Sequence, residues 1–396
     1  MKLAHFVLSG AVVGGVERYL AALLAGPEPG LEHRVVLDQP GPCDFAGHWP
    51  VTVLAWSAEG SGLRAGVGAA TKALDGIAEI CLFHYPPSEA TLTAAFRSGM
   101  RVAVFCHDHR WWCASSSRYY ARTHTICGIR GSTAECALRY HAMRCGGLRV
   151  GPLLRGLSRA ETGRHALAVA DAVLTASSFM GAEAVLHGAD PARTYLAPLP
   201  TRCEAVPPPP SSEQPPVILF ASRLTPEKGA RLLLDAFARM GVTAQLELAG
   251  SGIAAKATER AVAAHPRRER IRLLGHLDDA GIRAAYGRAS VVVAPSLWPE
   301  PFGLVGIEAL AAGRPVVTTG VGGMADWARL DLGVIVVTPG HATALAEALD
   351  RALSDPEWTV RARTDGAPWV RTRHSVAAHA ARLLEALATP SPTAPP

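Results

Sequence analysis

The sequence has no run of about eighteen consecutive apolar residues, so it lacks a segment long enough for a membrane-spanning helix. It also has no run of three or more consecutive Lys or Arg residues, and its net charge is only +5, which argues against a nucleic-acid-binding role. The eight cysteines are too sparse for a disulfide scaffold, and we expect reduced thiols in a cytoplasmic protein. The opening residues MKLAHFVLSG lead into a glycine loop instead of a cleavage site, so they predict a first strand and not a signal peptide.

Hydrophobic residues make up 49% of the chain and charged residues 18%, a composition typical of globular proteins. At 396 residues the chain is long enough for about two domains. Short apolar runs alternate with segments of helical spacing, which predicts α/β domains with parallel sheets. The predicted strands are Leu3–Leu8, Arg34–Leu37, Val51–Leu54, Ile80–His84 and Val102–Cys106, followed after a break by Val217–Ala221, Ala244–Ala249, Ile271–Leu274, Ser290–Ala294, Pro315–Thr319 and Val334–Val337.

A proline-rich stretch marks the predicted domain boundary. Six of the eleven residues in 206–216 are proline, which stiffens a linker and is incompatible with the interior of a helix or sheet. We therefore expect an N-terminal domain over residues 1–205, with an inserted Cys- and Arg-rich region at about 106–156, and a C-terminal domain over 217–372. A closing helix at 373–388 is expected to pack on one domain or across to the N-terminal one, and residues 389–396 are expected to form a disordered tail.

Two cations follow the first predicted strand of the C-terminal half. Arg223 and Lys228 lie on a turn before a helix whose start is marked by Thr225 as N-cap and Pro226 at the first helical position. At the carboxyl edge of a parallel strand, these cations, the free amides and the helix dipole all favour a bound diphosphate. An ordinary solvated turn with a surface Arg and Lys is the alternative.

Two carboxylates flank the predicted start of a later helix. Glu300 lies on a proline-rich loop, and Glu308 lies on the helix that follows. Their carboxylates are suited to accept hydrogen bonds from the hydroxyls of a hexose and a ribose, while the amides between them suit a phosphate. The amides are those of Phe302, Gly303 and Leu304. The pair therefore predicts a sugar-nucleotide site, and a capping acid beside a surface glutamate is the alternative.

This arrangement resembles the signature of a known family. Glu300 and Glu308 are separated by seven residues, and together with Pro301-Phe302-Gly303 they resemble the E-x7-E motif of the retaining glycosyltransferases of family GT4, also called glycosyltransferase group 1. The resemblance implies the GT-B fold, with two Rossmann-like doubly wound domains facing a central cleft. Further stretches resemble that family in the expected order: Gly14-Gly15-Val16-Glu17-Arg18, Cys106-His107-Asp108, Ser177-Ser178-Phe179-Met180, Arg223 with Lys228-Gly229, Leu248-Ala249-Gly250-Ser251-Gly252, Gly275-His276-Leu277 and Gly322-Gly323.

The resemblance implies a role for each matching residue of the donor site. Arg223 and Lys228 would hold the diphosphate, Glu308 the ribose hydroxyls and Glu300 the transferred sugar, and Leu277 would contact the base. Gly14 and Gly15 would let the N-terminal loop approach the donor closely, because they lack side-chain bulk. A plain strand-to-helix turn explains those two glycines equally well.

A histidine is the catalytic candidate of the N-terminal half. His107 follows the strand Val102–Cys106, and the resemblance places it beside the transferred sugar. There it could donate a hydrogen bond to a hydroxyl or stabilise positive charge at the anomeric carbon. The alternative is an imidazole that satisfies loop amides. His84 and Asp108 are candidate acceptor contacts.

Two positions depart from the family pattern, and one motif is absent. Ser222 stands where Gly usually precedes the phosphate-binding Arg, and Met324, Ala325 and Asp326 stand where a Glu usually follows Gly-Gly. The sequence contains no Asp-x-Asp triplet of the kind that holds a metal ion on a diphosphate. Because side-chain cations can neutralise the leaving nucleotide themselves, we predict transfer without a metal ion and without any cofactor, the nucleotide-diphosphate sugar being a co-substrate.

Four of the cysteines lie in the predicted inserted region. Cys113, Cys127, Cys136 and Cys145 are separated by 13, 8 and 8 residues, and no Cys-x2-Cys pair occurs among them. We favour buried thiols in an acceptor-side insertion over a zinc site, which His124 or His141 could complete.

Taken together, these features predict a metal-independent retaining glycosyltransferase. It would move a hexose-type sugar from a UDP- or GDP-sugar to a small-molecule, natural-product or glycan acceptor. The alternatives are a catalytically silent sugar-nucleotide-binding partner protein, suggested by Ser222 and by the altered loop at Asp326, and a GT-B epimerase. The expected partners are the donor and the acceptor, with no nucleic acid, and the oligomeric state stays open.

Overall fold

The computed structural model describes residues 1–7, 15–25, 30–37, 44, 49–54, 63–123, 125–129, 133–201 and 215–389. Gly14, His124, nearly all of the predicted linker 206–216 and the predicted tail from residue 390 onward lie outside the described residues. The chain forms two compact units. The first comprises residues 1–122, 127–200 and 376–396, and the second comprises residues 123–126 and 201–375.

A parallel sheet forms the centre of the first unit. Up to residue 200 the strands are β1 (Lys2–Val7), β2 (Glu32–Leu37), β3 (Val51–Val53), β4 (Ile80–Phe83), β5 (Arg101–Cys106), β6 (Tyr119–Tyr120), β7 (Thr125–Ile126), β8 (Ala172–Thr175) and β9 (Thr194–Leu196). Seven of the described strands pair in the order β3-β2-β1-β4-β5-β8-β9. Strands β4 and β8 are buried along their whole length, as expected for apolar strands covered on both faces.

Helices lie between these strands in the chain. They are α1 (Gly15–Leu23), α2 (Leu63–Leu74), α3 (Glu89–Arg97), α4 (Thr133–Ala142), α5 (Val150–Val169) and α6 (Ser178–Leu186). Serine N-caps start two of them: Ser88 accepts a hydrogen bond from the amide of Thr91 in α3, and Ser177 accepts one from the amide of Met180 in α6. The predicted inserted region, at about 106–156, contains α4 and only the first part of α5, which continues to Val169.

The second unit has a sheet of the same kind. Its strands are β10 (Val217–Ala221), β11 (Gln245–Ala249), β12 (Ile271–Gly275), β13 (Val291–Ala294), β14 (Val316–Thr318) and β15 (Val334–Val336), and they pair in parallel in the order β12-β11-β10-β13-β14-β15. Its helices are α7 (Ala230–Phe237), α8 (Ala255–Ala263), α9 (Asp279–Arg288), α10 (Leu304–Ala311), α11 (Ala342–Ser354), α12 (Glu357–Arg361) and α13 (Ala367–Arg373). The predicted α/β architecture with two doubly wound parallel sheets is confirmed.

The last helix, α14 (Val376–Ala388), belongs to the first unit. It begins a little later than the predicted 373, because α13 runs to Arg373 and His374 ends it. On α14, Leu383 and Leu387 are fully buried, and His379 forms a 2.9 Å hydrogen bond with the hydroxyl of Tyr19 on α1.

The strand order of each sheet contains one switch point, where neighbouring strands send the chain in opposite directions. In the first unit it lies between β1 and β4, and in the second unit it lies between β10 and β13. Loops that leave the carboxyl ends of such neighbours diverge and leave a crevice, which is where open α/β sheets bind ligands. Both switch points carry residues singled out from the sequence.

Candidate functional site

The switch point of the second unit brings two of the predicted site segments together. The turn after β10 carries Arg223 and Lys228, and the loop after β13 carries Glu300. Strands β10 and β13 are paired, so the turn and the loop start from the same edge of the sheet. The backbone then links them directly, since the amide of Leu297 donates a 2.8 Å hydrogen bond to the carbonyl of Glu227.

An ion pair joins the turn to the loop. The ammonium Nζ of Lys228 lies 2.6 Å from Oε1 of Glu300, and the hydroxyl of Ser296 donates to the same oxygen at 2.5 Å. Both partners are nearly buried, with 11% of the Lys228 side chain and 9% of the Glu300 side chain exposed. Lys228 also lies over the Trp298 ring, 4.8 Å from its centre. Lys228 and Glu300 thus form a buried ion pair, in which Trp298 also contacts the cation and Ser296 also contacts the anion.

The environment of Glu300 keeps its carboxylate ionised. Burial by itself raises the pKa of this group, but the charge and hydrogen bond of Lys228 and the hydrogen bonds from Ser296 and Trp298 outweigh it. The pKa of Glu300 is therefore below its ordinary value. At neutral pH the loop presents a fixed negative charge with the lone pairs to accept hydroxyl hydrogens.

A glycine allows the Lys228 turn to sit against the loop. The turn is a 3₁₀ segment, Pro226–Lys228, and Gly229 follows it with a φ of 81°. A Cβ atom on Gly229 would lie 2.1 Å from the carbonyl oxygen of Pro295. Gly229 therefore separates the 3₁₀ turn from α7, so the helix predicted from Thr225 onward begins only at Ala230.

The Gly322-Gly323 motif holds the backbone of Glu300. Gly322 has φ 65° and ψ −138°, a region essentially restricted to glycine, and its Cβ would lie 2.4 Å from the Glu300 carbonyl oxygen. The amide of Gly323 donates a 2.6 Å hydrogen bond to that same oxygen. The motif is thus a backbone support for Glu300, a role that the sequence alone did not indicate.

The second predicted carboxylate, Glu308, lies on α10 and is half-buried. Its Oε2 accepts a 2.8 Å hydrogen bond from the hydroxyl of Tyr286 on α9. Tyr286 is 1% exposed and was not predicted, because nothing in the sequence distinguishes it from an ordinary core aromatic. It fixes the orientation of the Glu308 side chain.

The loop at Met324, which departs from the family pattern, packs against the start of α10. Gly303 is the N-cap with a φ of 80°, and a Cβ there would lie 2.5 Å from the Met324 side chain. Trp327 donates a 2.6 Å hydrogen bond to the carbonyl of Phe302 and contacts Gly306 closely. Met324 therefore fills space under the helix start, which accounts for an apolar residue where the family usually has Glu.

Arg223 and Ser222 lie on a backbone supported by the Gly250-Ser251-Gly252 loop. A Cβ on Gly250 would lie 1.9 Å from the Ser222 carbonyl oxygen, and the amide of Leu224 donates to the carbonyl of Ser251 at 2.8 Å. Ser222 is not among the described residues with positive φ, so the serine is accommodated as expected. The Arg223 side chain is exposed and forms no ion pair with any described residue.

The remaining predicted donor contacts differ in accessibility. Leu277 is half-buried just beyond the edge strand β12, and Leu304 is half-buried at the start of α10. The Phe302 side chain is only 3% exposed, so Phe302 could meet a ligand through its backbone but not through its ring. In the first unit, Gly15 is the first residue of α1, and a Cβ there would meet no atom within 4 Å.

In the first unit, His107 lies directly after β5 and contacts a second predicted residue. Its Nε2 lies 2.9 Å from Nδ1 of His84, and its ring stacks on Phe105 with the ring centres 4.2 Å apart. Burial and nearby His379 and Arg110 lower the pKa of His107 well below its ordinary value. His84 is 1% exposed, and its two ring nitrogens are bonded to neighbouring histidines. His84 thus contacts His107 and not the surface.

Asp108 already has a partner on its own turn. Its carboxylate caps the 3₁₀ segment His109–Trp111 by accepting from the amide of Arg110 at 2.9 Å, and it forms an ion pair with the Arg110 guanidinium at 2.6 Å. That guanidinium lies over the ring of Tyr85, and the Tyr85 hydroxyl donates a 2.5 Å hydrogen bond to Glu17. The Arg110–Tyr85–Glu17 chain was not predicted, although Glu17 belongs to a motif that resembles the family.

The cysteines of the inserted region are half-buried. Cys113, Cys127 and Cys136 line one pocket together with Arg118 and Arg164. Among the described residues, no group of three or more His, Cys, Asp or Glu side chains has an arrangement that could hold a metal ion. The thiol prediction and its zinc alternative both stay predictions, because His124 lies outside the described residues.

None of the helices within the described ranges combines the length and the apolar content needed to cross a bilayer.

Comparison with known proteins gives matches of sequence and of fold. The family described as "Glycosyl transferases group 1" matches residues 204–367. An uncharacterized glycosyltransferase of Methanocaldococcus jannaschii is 37% identical over 141 residues, which are 35% of this chain and 36% of that protein. The alpha-D-kanosaminyltransferase of Streptomyces kanamyceticus is 30% identical over 165 residues, 41% of this chain and 42% of that enzyme. The matched segments thus span less than half the length of these two relatives.

The fold comparison covers nearly the whole chain. The structure of Anabaena HepE in complex with UDP and glucose superposes with a TM-score of 0.74 at 18% identity, covering 98% of this chain and all of that one. At that identity the likeness establishes the fold alone. Residues 204–367 therefore match the group 1 glycosyltransferase family, as the motifs of that half suggested, and the chain has the GT-B fold.

Proposed function

We propose that the chain is a retaining glycosyltransferase that transfers a hexose-type sugar from a nucleotide-diphosphate sugar to a small-molecule, natural-product or glycan acceptor without a metal ion. The observation that carries the proposal is the buried Lys228–Glu300 pair beside the exposed Arg223, at the switch point of the second unit. The match of residues 204–367 to the group 1 glycosyltransferases and the UDP and glucose bound to Anabaena HepE support it.

The second unit would bind the donor. Arg223 and Lys228 supply two positive charges for the diphosphate, and the amides at the start of α10 add donors that no side chain caps in the described structure. Glu300 would accept hydrogen bonds from a sugar hydroxyl, and Glu308, oriented by Tyr286, from the ribose hydroxyls. Leu277 would contact the base.

In the transfer step, the bond between the anomeric carbon and the diphosphate oxygen breaks, and its electron pair leaves with the nucleotide. The acceptor oxygen bonds to the anomeric carbon on the same face, and its proton moves to the leaving phosphate oxygen. Lys228 and Arg223 stabilise the negative charge that develops on the diphosphate, so the two side chains serve where a metal ion serves in other transferases. His107 would donate a hydrogen bond to a hydroxyl of the transferred sugar.

The proposal is tested first by donor binding and then by product analysis. A panel of UDP- and GDP-sugars is screened by thermal shift, and the best donor is incubated with candidate acceptors and analysed by mass spectrometry and by NMR of the anomeric configuration. We expect one donor to stabilise the protein and to give a product with the donor's configuration. An inverted product would refute retention, whereas a free epimer still attached to nucleotide, or binding without any turnover, would favour the epimerase or the silent binding protein.

Metal independence is tested in the same assay. Protein treated with EDTA and passed into metal-free buffer is expected to keep its turnover within about twofold, because its own cations neutralise the leaving group. Loss of turnover that Mg²⁺ or Mn²⁺ restores would contradict the proposal. The matched control is untreated protein in the same buffer.

A further inference from the structure

Four buried histidines of the first unit form a continuous row. Nδ1 of His33 lies 2.9 Å from Nε2 of His5, Nδ1 of His5 lies 2.9 Å from Nε2 of His84, and Nδ1 of His84 lies 2.9 Å from Nε2 of His107. We call these four residues the histidine row. Neighbouring ring centres are 5.0, 5.2 and 5.1 Å apart. The row ends at the residue that the proposed function places beside the sugar.

The sheet register explains why the four rings meet. His33 pairs with Leu3 across β1 and β2, and His5 is two residues further along β1. His5 pairs with Leu82 across β1 and β4, and His84 is again two residues further. Phe83 pairs with Val104 across β4 and β5, and continuing this register by one residue gives the same step from His84 to His107. Because a step of two residues preserves the face of a strand, the four side chains lie on one face along a diagonal of the sheet.

Burial makes the four rings neutral. His5 is 0% exposed, His84 1%, His33 4% and His107 8%. Burial lowers the pKa of His33 to about 4 and lowers the pKa values of the other three well below the ordinary range. A neutral imidazole carries one N–H donor and one acceptor nitrogen. Choosing the donor of one hydrogen bond therefore chooses the donors of all three.

The N–H groups of the row could all donate toward His107 or all donate away from it. The environment of His33, at the far end of the row, favours donation toward His107. The Nε2 atom of His33 is buried and has no hydrogen-bond partner among the described residues. The neighbouring Trp49 directs its own N–H to the carbonyl of Leu24. If Nε2 of His33 carried the proton, an N–H donor would be buried without an acceptor, and buried unpaired N–H groups are rarer than acceptors with a spare lone pair.

We propose that the histidine row holds His107 as a neutral imidazole with its proton on Nδ1, so that His107 acts as a hydrogen-bond donor and not as a general base. In this arrangement Nδ1–H of His33 donates to His5, Nδ1–H of His5 donates to His84, and Nδ1–H of His84 donates to Nε2 of His107. That last bond occupies the only free lone pair of His107. His5, His33 and His84 are positioning residues, and the ligand group that His107 recognises is a hydroxyl or ether oxygen of a sugar. This inference rests on the proposed function.

The packing around His107 holds the ring in place for this purpose. Phe105 stacks on it with an interplanar angle of 9°, and Tyr19 packs 4.8 Å away. The Tyr19 hydroxyl pairs with Nε2 of His379, whose Nδ1 lies 2.9 Å from the carbonyl of Pro198. A carbonyl only accepts, so His379 donates from Nδ1 and the Tyr19 hydroxyl donates to Nε2. Tyr19 thus packs its ring against His107, while its hydroxyl bonds to His379.

The tautomer is measured on the intact chain by long-range ¹H–¹⁵N NMR of ¹⁵N-histidine-labelled protein, with the His107 signals assigned from those lost in His107→Asn. We expect His107 to be neutral at pH 7.5 with the proton on Nδ1. A proton on Nε2, or a charged ring, would overturn the proposal. This readout does not need turnover, so it fails or succeeds independently of the proposed function.

Two substitutions of His84 test what the row does. His84→Asn keeps a side-chain N–H near the position of Nδ1, whereas His84→Leu removes it. With UDP-glucose or the donor found by the panel, we expect His84→Leu to lower kcat by about tenfold or more with a smaller change in KM, and His84→Asn to restore kcat to within about threefold of the original. Tyr19→Phe, which removes only the hydroxyl, is the packing control for the NMR signal.

Equal turnover of His84→Leu and the original protein would contradict the inference, as would equal losses in both His84 variants. If His84→Leu does not fold, the inference is tested by the NMR tautomer of His107 in His84→Asn and in the original protein. Both proteins must show His107 protonated on Nδ1. Failure of every nucleotide sugar to react would instead count against the proposed function and leave the NMR test in force.

Discussion

The candidate sites of the two units differ in charge: one consists of charged side chains and the other of neutral imidazoles. In the second unit a cation and an anion, Lys228 and Glu300, face each other at 2.6 Å, and a second cation, Arg223, stays exposed. In the first unit His107 ends a row of uncharged imidazoles. The neighbouring Asp108 forms an ion pair with Arg110, so its charge is already compensated. Charged ligand groups need compensating charges, whereas hydroxyl groups need donors and acceptors of fixed direction. The contrast matches a diphosphate for the second unit and neutral sugar hydroxyls for the first.

The largest effect is expected from breaking the charge pair. Glu300→Gln or Lys228→Ala should lower turnover by about 10² to 10³-fold, because each removes an interaction with charge that develops during transfer. The measurement is nucleotide release with the preferred donor, together with circular dichroism to show that the fold survives. The control is Glu259→Gln, which changes an exposed glutamate of α8. Rates near those of the original protein in both variants would remove the support for the donor site.

The next largest effect is expected from lowering the pH, which should destabilise the first unit more than the second. Burial lowers the pKa of His33 to about 4, and it also lowers the pKa values of His5, His84 and His107 well below the ordinary value of 6.5. The unfolded chain therefore binds protons below about pH 6.5 that the folded first unit does not bind, so its stability is full above that pH and falls as the pH falls. The expected loss of stability by pH 5.5 is about 1 kcal/mol for His33, and the other three histidines act in the same direction.

The second unit should resist the same change. The lowered pKa of Glu300 gives a contribution that is fully present above about pH 4.5 and is lost only as the pH falls through the folded value. Hydrogen exchange of the intact chain at pH 7.5 and 5.5, corrected for the intrinsic rate and resolved by peptide, measures the two units separately. Equal protection losses in both units would contradict the comparison.

A smaller effect is expected at the glycine that supports Glu300. Gly322→Ala places a Cβ 2.4 Å from the Glu300 carbonyl oxygen at a backbone conformation essentially closed to alanine, and we expect it to reduce the free energy of unfolding by about 3 kcal/mol. Gly340→Ala is the matched control, because Gly340 also has positive φ, 80°, but no atom within 4 Å of its Cβ. It should cost about 1 kcal/mol. Urea unfolding measures both, and equal losses would show that the contact with Glu300 is unimportant.

The sequence was sufficient for the parts of this comparison that depend on local pattern. Strand and helix alternation predicted the two parallel sheets, and the E-x7-E spacing of Glu300 and Glu308 predicted the family that residues 204–367 match, because both signals are periodic or fixed in spacing. The position of Lys228 on a turn after β10 could also be predicted, since Pro226 marks the turn.

The contacts that complete the site could not be predicted, because they join residues far apart in the chain. Tyr286 reaches Glu308 across 22 positions, and His5 reaches His84 across 79. The Gly322 support of Glu300 depends on a backbone conformation that one glycine in a sequence does not reveal. The sequence does contain a signal for the histidine row, because each of four strands contains a histidine or is directly followed by one. Only the register of the sheet shows that these histidines contact one another in a line.

The connectivity of the closing helix has a practical consequence for dividing the protein into fragments. Because α14 returns to the first unit and residues 123–126 belong to the second, the polypeptide passes four times between the units, and a single cut within 202–214 separates neither cleanly. An N-terminal fragment made that way would lack His379, leaving the hydroxyl of Tyr19 unpaired beside the His107 pocket. A faithful fragment of the first unit needs residues 376–388 supplied in trans or spliced on.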